Sequence, residues 1–139
     1  MKNQVINNFK SKKSKIGIIG MGYVGLPLSL RFAECGFQVI GFDIDDNKVD
    51  ALNSGESYIA HISSKKISNA INNGLESSSD FKRTSECDGL ILCVPTPLNI
   101  YREPDISYIE SSLDLIVPHL REGQIISLES TTYPGTCEE

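Results

Sequence analysis

The stretch KIGIIGMGYVG, residues 15–25, is an apolar segment that runs directly into three glycines spaced G-x-G-x-x-G. Lys15–Ile19 is predicted to be a buried strand, because a short aliphatic run there meets a turn signal. Leu26–Cys35 has the periodicity of a helix that ends at Gly36. A glycine-rich turn between a strand and a helix is the context in which this spacing binds the pyrophosphate of a dinucleotide.

Each glycine of this turn has a separate physical reason. Gly20 permits the tight turn, Gly22 lets the backbone approach a pyrophosphate with no Cβ in the way, and Gly25 lets the helix pack closely on the strand. The free amides of the first helical turn would face the anion along the helix dipole. The alternative, a glycine-rich turn that binds nothing, is disfavoured by the strand and the helix on either side. The predicted cofactor-binding residues of the loop are Gly20, Met21, Gly22, Tyr23, Val24 and Gly25.

An acidic residue stands where a dinucleotide-binding fold needs one. Asp43 ends the next predicted strand, Gln38–Asp43, and follows Gly25 by 18 residues. A carboxylate there accepts hydrogen bonds from the adenosine ribose and repels a 2′-phosphate, so the pattern predicts NAD rather than NADP. Lys48 is the next basic residue, and the pattern leaves two interpretations: a lysine along the ribose or adenine edge, or a solvated helix lysine.

Strands and helices alternate along the rest of the chain. Three more strands are predicted at Leu75–Ser78, Asp88–Val94 and Gln124–Ser130. Helices are predicted to begin at Asp45 or Asp46, at Ser63 or Ser64 and at Asp105, the last with Ile109, Leu113, Ile116 and Leu120 facing the core. This alternation predicts an α/β fold, a Rossmann-type parallel sheet with helices on both faces in three layers.

The two ends of the chain are interpreted separately. Residues 1–14 are predicted to be an N-terminal extension, and residues 15–139 a dinucleotide-binding domain. Thr136–Glu139 has the pattern of a capping box that opens a further helix. We therefore expect the sequence to be a fragment of a longer protein.

Hydroxyl-bearing loops follow the fourth and fifth predicted strands. Open parallel sheets bind ligands at the carboxyl ends of their strands. Val94 and Thr96 leave the fourth strand there, and Ser130 and Thr131 leave the fifth. These four residues are predicted to border the nicotinamide half of the cofactor, although the same hydroxyls also suit plain turn formation.

The charge distribution argues against nucleic-acid and membrane partners. The chain of 139 residues has a net charge of −5, and from Ile16 onward it carries 8 basic and 18 acidic residues. Such a body repels phosphate backbones and anionic membranes, and the basic residues before it are predicted to be solvated. The four cysteines form no C-x-x-C pair, so we expect reduced thiols, no structural metal and a cytoplasmic protein.

Four linked segments resemble the UDP-glucose/GDP-mannose dehydrogenase family. They are IGIIGMGYVGLPL (16–28), GFDIDDNKV (41–49), CVPTP (93–97) and ESTTYPG (129–135), and they match the family in order and spacing. Within the family, the segments around residues 92–105 and 128–136 look most like bacterial UDP-N-acetylglucosamine 6-dehydrogenases of surface-polysaccharide synthesis. Alternatives are a UDP-glucose or UDP-N-acetylmannosamine dehydrogenase, and a non-catalytic dinucleotide-binding module.

The resemblance implies a four-electron oxidation of a sugar C6 alcohol to a carboxylate with two NAD⁺. It implies a cysteine, a lysine and an aspartate in a Gly-x-x-Cys-x-x-Lys-Asp motif of a later domain, beyond residue 139, so this chain alone is expected to be inactive. It places cofactor contacts on Met21–Val24, Asp43, Lys48, Thr96 and Thr131. Thr131 would assist catalysis by holding water or an oxyanion. The resemblance also implies a UDP-sugar substrate bound by later domains, and a homo-oligomer.

Overall fold

The fold is a five-stranded parallel sheet. The computed structural model describes residues 6–7, 10, 14–22, 24–59, 62–93 and 107–128. The strands are β1 (Lys15–Ile19), β2 (Gln38–Phe42), β3 (Leu75–Ser78), β4 (Gly89–Leu92) and β5 (Ile125–Leu128). Their order across the sheet is β3-β2-β1-β4-β5, and every adjacent pair is parallel. Because the chain moves outward from β1 in both directions, the sheet has a topological switch point beside β1.

Helices lie on both faces of the sheet. The α-helices are α1 (Gly25–Glu34), α2 (Asp46–Asn53), α3 (Ser64–Asn72) and α4 (Ser107–Ile116), and 3-10 helices span Phe81–Glu86 and Val117–His119. Along β1, Ile16 and Ile18 pack with α1 and α3 on one face, whereas Ile19 packs with Phe81 and Ile116 on the other. This alternation with period two makes two cores, one on each side of the sheet. The predicted three-layer Rossmann-type fold is therefore confirmed.

Side chains determine where three of the helices begin. The carboxylate of Asp45 accepts a hydrogen bond from the Asn47 amide at 3.0 Å and caps α2. The hydroxyl of Ser63 accepts from the Lys66 amide and caps α3, and Asp80 caps the first 3-10 helix in the same way. Short polar side chains satisfy amides that have no partner inside the helix. Of the alternatives left by the sequence, the structure selects Asp45 and Ser63.

The prediction for the last helix was partly wrong. It was expected to reach about Leu120, but α4 ends at Ile116 and a 3-10 helix with Pro118 continues to His119. Proline lacks the amide that an α-helix would use at that position, so the last turn is tighter. Ile109 and Ile116 are buried as predicted, whereas Leu120 is 39% exposed and does not face the core.

Strand boundaries also differ from the prediction at their ends. The second strand ends at Phe42, which leaves Asp43 just beyond it, and the fourth strand begins at Gly89 rather than Asp88. The fifth begins at Ile125 and ends at Leu128 within the described residues. The predicted N-terminal extension lies mostly outside the described residues. The hydroxyl-bearing segments predicted after the fourth and fifth strands, and the final capping box, lie entirely outside them.

Candidate functional site

The glycine-rich loop leaves the carboxyl end of β1, next to the switch point of the sheet. Gly20 has a φ of +95°, a conformation that glycine adopts without the Cβ penalty. Its amide donates to the carbonyl of Phe42 at 2.7 Å, so the first residue of the loop is still hydrogen-bonded to the end of β2. The amide of Leu26 donates to the carbonyl of Gly22 at 3.1 Å, which closes the first turn of α1. The loop thus turns the chain directly from the strand into the helix.

Gly22 and Gly25 have opposite surroundings. A Cβ built on Gly25 would lie 1.7 Å from the carbonyl oxygen of Gly20, so only glycine lets α1 pack this closely on the loop. A Cβ on Gly22 would meet no atom of the described residues within 4 Å, its two chain neighbours aside. The fold therefore requires glycine at position 25, whereas at position 22 it leaves open space. That space is where a pyrophosphate would approach the backbone, so the loop fits the group that the sequence predicted.

The start of α1 is suited to bind an anion. Val24 precedes the helix and is 55% exposed, and no side chain among the described residues caps the helix there. This start contrasts with α2 and α3, whose first amides are satisfied by Asp45 and Ser63. Uncapped amides at a helix N-terminus carry the positive end of the helix dipole. Because the Leu26 amide already donates to the Gly22 carbonyl and Pro27 has no amide, this helix start offers an anion the positive end of its dipole rather than a full set of free amides.

Asp43 lies beside this loop, immediately beyond β2. Its Oδ2 accepts a hydrogen bond from the Met21 amide at 2.9 Å, and its Oδ1 accepts from the Asp45 amide at 2.9 Å. Each carboxylate oxygen retains further acceptor capacity for a ribose hydroxyl. The carboxylate is half-buried, so it faces both the loop and solvent. The structure thus brings Asp43 and the glycine-rich loop together, as the sequence predicted.

Met21 anchors the loop in the core. Its side chain is fully buried, and its sulfur accepts a hydrogen bond from the Ser29 hydroxyl at 3.3 Å. A Cβ on Gly41 of β2 would come within 2.4 Å of the Met21 Cε, so the glycine of the second motif makes room for this side chain. Two of the motifs that the sequence analysis quoted are therefore parts of one packed unit.

Tyr58 belongs to the same unit and was missed by the sequence analysis. Its hydroxyl donates a hydrogen bond to the carbonyl of Met21. Burial, followed by the charges of Asp43 and Asp45, raises the pKa of Tyr58 above its ordinary value, so the hydroxyl stays protonated. Tyr58 lies in the connection between α2 and α3, where no periodicity or capping pattern marks it. Only its aromatic character in a polar segment could have drawn attention to it.

Lys48 lies close to this tyrosine. Its Nζ is 5.8 Å from the centroid of the Tyr58 ring, within the range of a weak cation–π interaction. Lys48 is half-buried and stands on α2, one helical turn beyond Asp45. Lys48 therefore lies beside Tyr58, and its placement along the ribose or adenine edge stays a prediction.

Several predicted site residues lie outside the described residues, and the structure does not test them. They are Tyr23, Val94, Thr96, Ser130 and Thr131. Within the described part of the chain, no group of His, Cys, Asp and Glu side chains could hold a metal ion. None of the helices in that part of the chain is long and apolar enough to cross a membrane.

Cys87 is a poor candidate for a nucleophile. Within the described residues, Cys35, Cys87 and Cys93 form no disulfide. Cys87 is fully buried, and burial raises the pKa of its thiol to about 12. A catalytic cysteine needs an accessible, low-pKa thiolate, which is the opposite environment.

Comparison with known proteins agrees with this geometry. Residues 14–139 match the UDP-glucose/GDP-mannose dehydrogenase family, NAD binding domain. Over 125 residues the chain is 36% identical to a UDP-N-acetyl-D-glucosamine 6-dehydrogenase of Salmonella typhi, covering 90% of this chain and 29% of that protein. Over 128 residues it is 38% identical to a UDP-N-acetyl-D-mannosamine dehydrogenase of Escherichia coli K12, covering 89% and 29%. The chain thus spans less than a third of the length of these relatives.

Solved structures give the same result. The UDP-N-acetyl-mannosamine dehydrogenase Cap5O of Staphylococcus aureus superposes with a TM-score of 0.83 at 36% identity, over 91% of this chain and 30% of that one. A GDP-mannose dehydrogenase ternary complex of Pseudomonas aeruginosa superposes with a TM-score of 0.84 at 30% identity, over 89% and 30%. The chain belongs to the UDP-glucose/GDP-mannose dehydrogenase family, of which it is the NAD-binding domain.

Proposed function

We propose that this chain is the cofactor-binding part of an enzyme that oxidises the C6 alcohol of a UDP-hexose to the uronic acid. The overall reaction converts R–CH₂OH, two NAD⁺ and water into R–COO⁻, two NADH and three protons. When bound, the nicotinamide accepts a hydride in each of the two oxidations. Residues 15–139 are the NAD-binding domain in this proposal, and residues 1–14 are an extension.

One observation carries the cofactor half of the proposal. The Asp43 carboxylate holds the Met21 amide beside the open space at Gly22, so a ribose acceptor and a pyrophosphate cradle are adjacent. This arrangement matches the two groups of the adenosine half of NAD, and the negative charge of Asp43 disfavours a 2′-phosphate there. The residues that contact a sugar are not part of this geometry.

We propose UDP-N-acetylglucosamine as the sugar nucleotide. Support comes from the segments 92–105 and 128–136, which look most like enzymes of that specificity, and from the relative in Salmonella typhi. Relatives that act on UDP-N-acetylmannosamine are equally similar, so that sugar is the first alternative. UDP-glucose and a non-catalytic dinucleotide-binding module are the remaining ones.

The chain alone is proposed to bind NAD without turning over. The nucleophile that the family uses stands in a Gly-x-x-Cys-x-x-Lys-Asp motif, and that motif does not occur among the 139 residues. Thr131 is proposed to assist the chemistry by holding water or an oxyanion, together with groups of later domains. In a complete enzyme, Thr131→Ala should lower kcat at least about tenfold, with Thr132→Ala as the control, because one oxyanion donor contributes at least that much.

The setting of the enzyme is also a proposal. We place the reaction in the cytoplasm, where NAD and reduced thiols occur together, and assign it to surface-polysaccharide synthesis. The complete protein is proposed to form a homo-oligomer. Because of the acidic body of the chain, no nucleic-acid or membrane partner is proposed.

A substrate panel tests the proposal. The complete protein is purified, and NADH formation is followed with UDP-N-acetylglucosamine, UDP-N-acetylmannosamine and UDP-glucose, with NADP replacing NAD as the control. We expect two NADH per UDP-N-acetylglucosamine, the highest kcat/KM with that sugar, and no turnover by the 139-residue chain. NADH formation by the 139-residue chain would contradict the assignment of the nucleophile to later domains.

A further inference from the structure

Met21 is held by side chains on both sides. Its amide donates to Asp43 Oδ2 at 2.9 Å, and its carbonyl accepts a hydrogen bond from the Tyr58 hydroxyl. We call these two contacts the loop clamp. They come from different parts of the chain: Asp43 follows β2, whereas Tyr58 lies in the connection between α2 and α3. The residue between the first two glycines is therefore fixed by elements that do not belong to the loop.

The position of Tyr58 is itself well determined. The Ser57 amide donates to the Ser64 hydroxyl at 3.1 Å, and the Ser57 hydroxyl donates to the Ile59 carbonyl at 2.9 Å. Ile59 is buried in the same core as α1 and α3. The residues on either side of Tyr58 are thus attached to α3 and to the core, so the hydroxyl is held against the loop.

The chemistry of Tyr58 suits a donor. Burial disfavours a phenolate and raises the pKa of Tyr58, and the charges of Asp43 and Asp45 act in the same direction. Its hydroxyl therefore donates to a carbonyl, which can only accept. The ring lies beside the ammonium of Lys48, 5.8 Å from its centroid. One side chain thus contacts both the glycine-rich loop and the cation at the predicted ribose edge.

We propose that Tyr58 is a positioning residue of the NAD site: its hydroxyl fixes the Met21 carbonyl, and its ring places Lys48 beside the ribose that Asp43 binds. The inference rests on the assignment of NAD to this loop. Glycines give a loop more conformations than other residues do, so a loop with two glycines around Met21 gains most from an outside restraint. A restraint that exists before binding removes an ordering cost from the binding step.

The test uses the 139-residue chain with three substitutions. Tyr58→Phe removes only the hydroxyl, and Tyr58→Leu removes the hydroxyl and the ring beside Lys48. The control is Phe37→Leu, which shortens a half-buried ring that packs on Phe32 at 5.7 Å, away from the loop. For each variant, the Kd for NAD is measured by calorimetry. The rate of hydrogen exchange with solvent at the Met21 and Gly22 amides is measured by NMR in the absence of NAD.

We expect Tyr58→Phe to raise the Kd for NAD about fivefold, as for one lost hydrogen bond, and Tyr58→Leu to raise it further. Exchange at Met21 and Gly22 should become about fivefold faster in both variants. Phe37→Leu should change neither quantity, although it lowers the melting temperature. Faster exchange with an unchanged Kd would overturn the proposal, since the contact would then stabilise the fold only.

Unchanged exchange in Tyr58→Phe would overturn it as well, because the hydroxyl would then not fix the loop. The amide exchange measurement needs no NAD. It therefore distinguishes a loop clamp that does not restrain Met21 from a loop that does not bind NAD. If the wild-type chain bound no NAD, the assignment of the cofactor would fail, and the proposal for Tyr58 would fail with it.

Discussion

Two regions of the sheet differ. Strands β1 and β2 pack around the glycine-rich loop and form what we call the interlocked half, whereas the edge strand β5 forms what we call the open edge. At β1 and β2, Ile18 and Ile40 are buried on opposite faces, and Met21 connects the loop to both Asp43 and Tyr58. At β5, Ile125 and Ile126 are 51% and 44% exposed, and the strand has one partner, β4, among the described strands. Equally apolar strands thus differ in burial. A run of aliphatic residues predicts a strand, but its neighbours decide how deeply the strand is buried.

The largest expected effect comes from the tightest contact of the interlocked half. Gly25→Ala would place a Cβ 1.7 Å from a backbone oxygen that cannot move aside without moving the loop. We expect a loss of about 5 kcal/mol or more in the free energy of unfolding, at the exceptional end of single substitutions. Urea denaturation followed by circular dichroism measures it. A Gly25→Ala chain with wild-type stability would show that the helix does not pack on the loop as described.

The next effect compares the inner strand with the open edge. Leu90 of β4 is fully buried, whereas Ile126, its register partner on β5, is 44% exposed. Leu90→Ala should therefore cost about 2–5 kcal/mol of stability, as for a buried leucine. Ile126→Ala should cost less than about 1 kcal/mol, because only part of that side chain leaves water on folding. Equal losses in urea denaturation would contradict the difference between the two strands.

Most of the fold could be predicted from the sequence, because local chemistry determines it. The glycine turn after β1 and the caps at Asp45 and Ser63 involve residues close in the chain, and each lies at a position that the pattern offered. Tyr58 could not be predicted, since its partner Met21 is 37 residues away and no spacing rule connects them. The exposure of Leu120 was missed although Pro118 signals it, because a proline inside a helical pattern ends the regular helix, here at Ile116.

Cofactor affinity gives the third prediction, of smaller size. Asp43→Ala removes a carboxylate that holds the Met21 amide and faces the predicted ribose site. We expect NAD binding to weaken by about 1–3 kcal/mol, as for a lost charge-assisted hydrogen bond. Asp43→Asn keeps one acceptor oxygen and removes the charge. The ratio of the Kd for NADP to the Kd for NAD should therefore fall by a larger factor than the factor by which the Kd for NAD rises. Calorimetric titrations of both variants with both cofactors measure these effects; an unchanged preference in Asp43→Asn would contradict the role of the charge.

The smallest effect is expected at a buried thiol. Cys87 has a pKa raised to about 12 by burial, so its thiolate is a minor species until the pH approaches that value. Iodoacetamide at pH 8 should therefore leave Cys87 unmodified in the folded chain, while the half-buried Cys35 reacts. Mass spectrometry of the digested protein measures both sites, with a guanidinium-unfolded sample as the control. Equal labelling of the two in the folded chain would contradict the burial of Cys87.

The most direct test of the NAD site uses Gly22→Ala, the counterpart of the Gly25 substitution. Its two chain neighbours aside, the new Cβ meets no atom within 4 Å in the part of the chain that the structure describes, yet it occupies the space that a pyrophosphate would approach. Calorimetric titration with NAD and NADP, together with urea denaturation, should show NAD preferred by the wild type. Gly22→Ala should weaken NAD binding about tenfold or more with little change in stability. Wild-type affinity in Gly22→Ala, or equal or tighter binding of NADP by the wild type, would contradict the assignment of this loop as an NAD site.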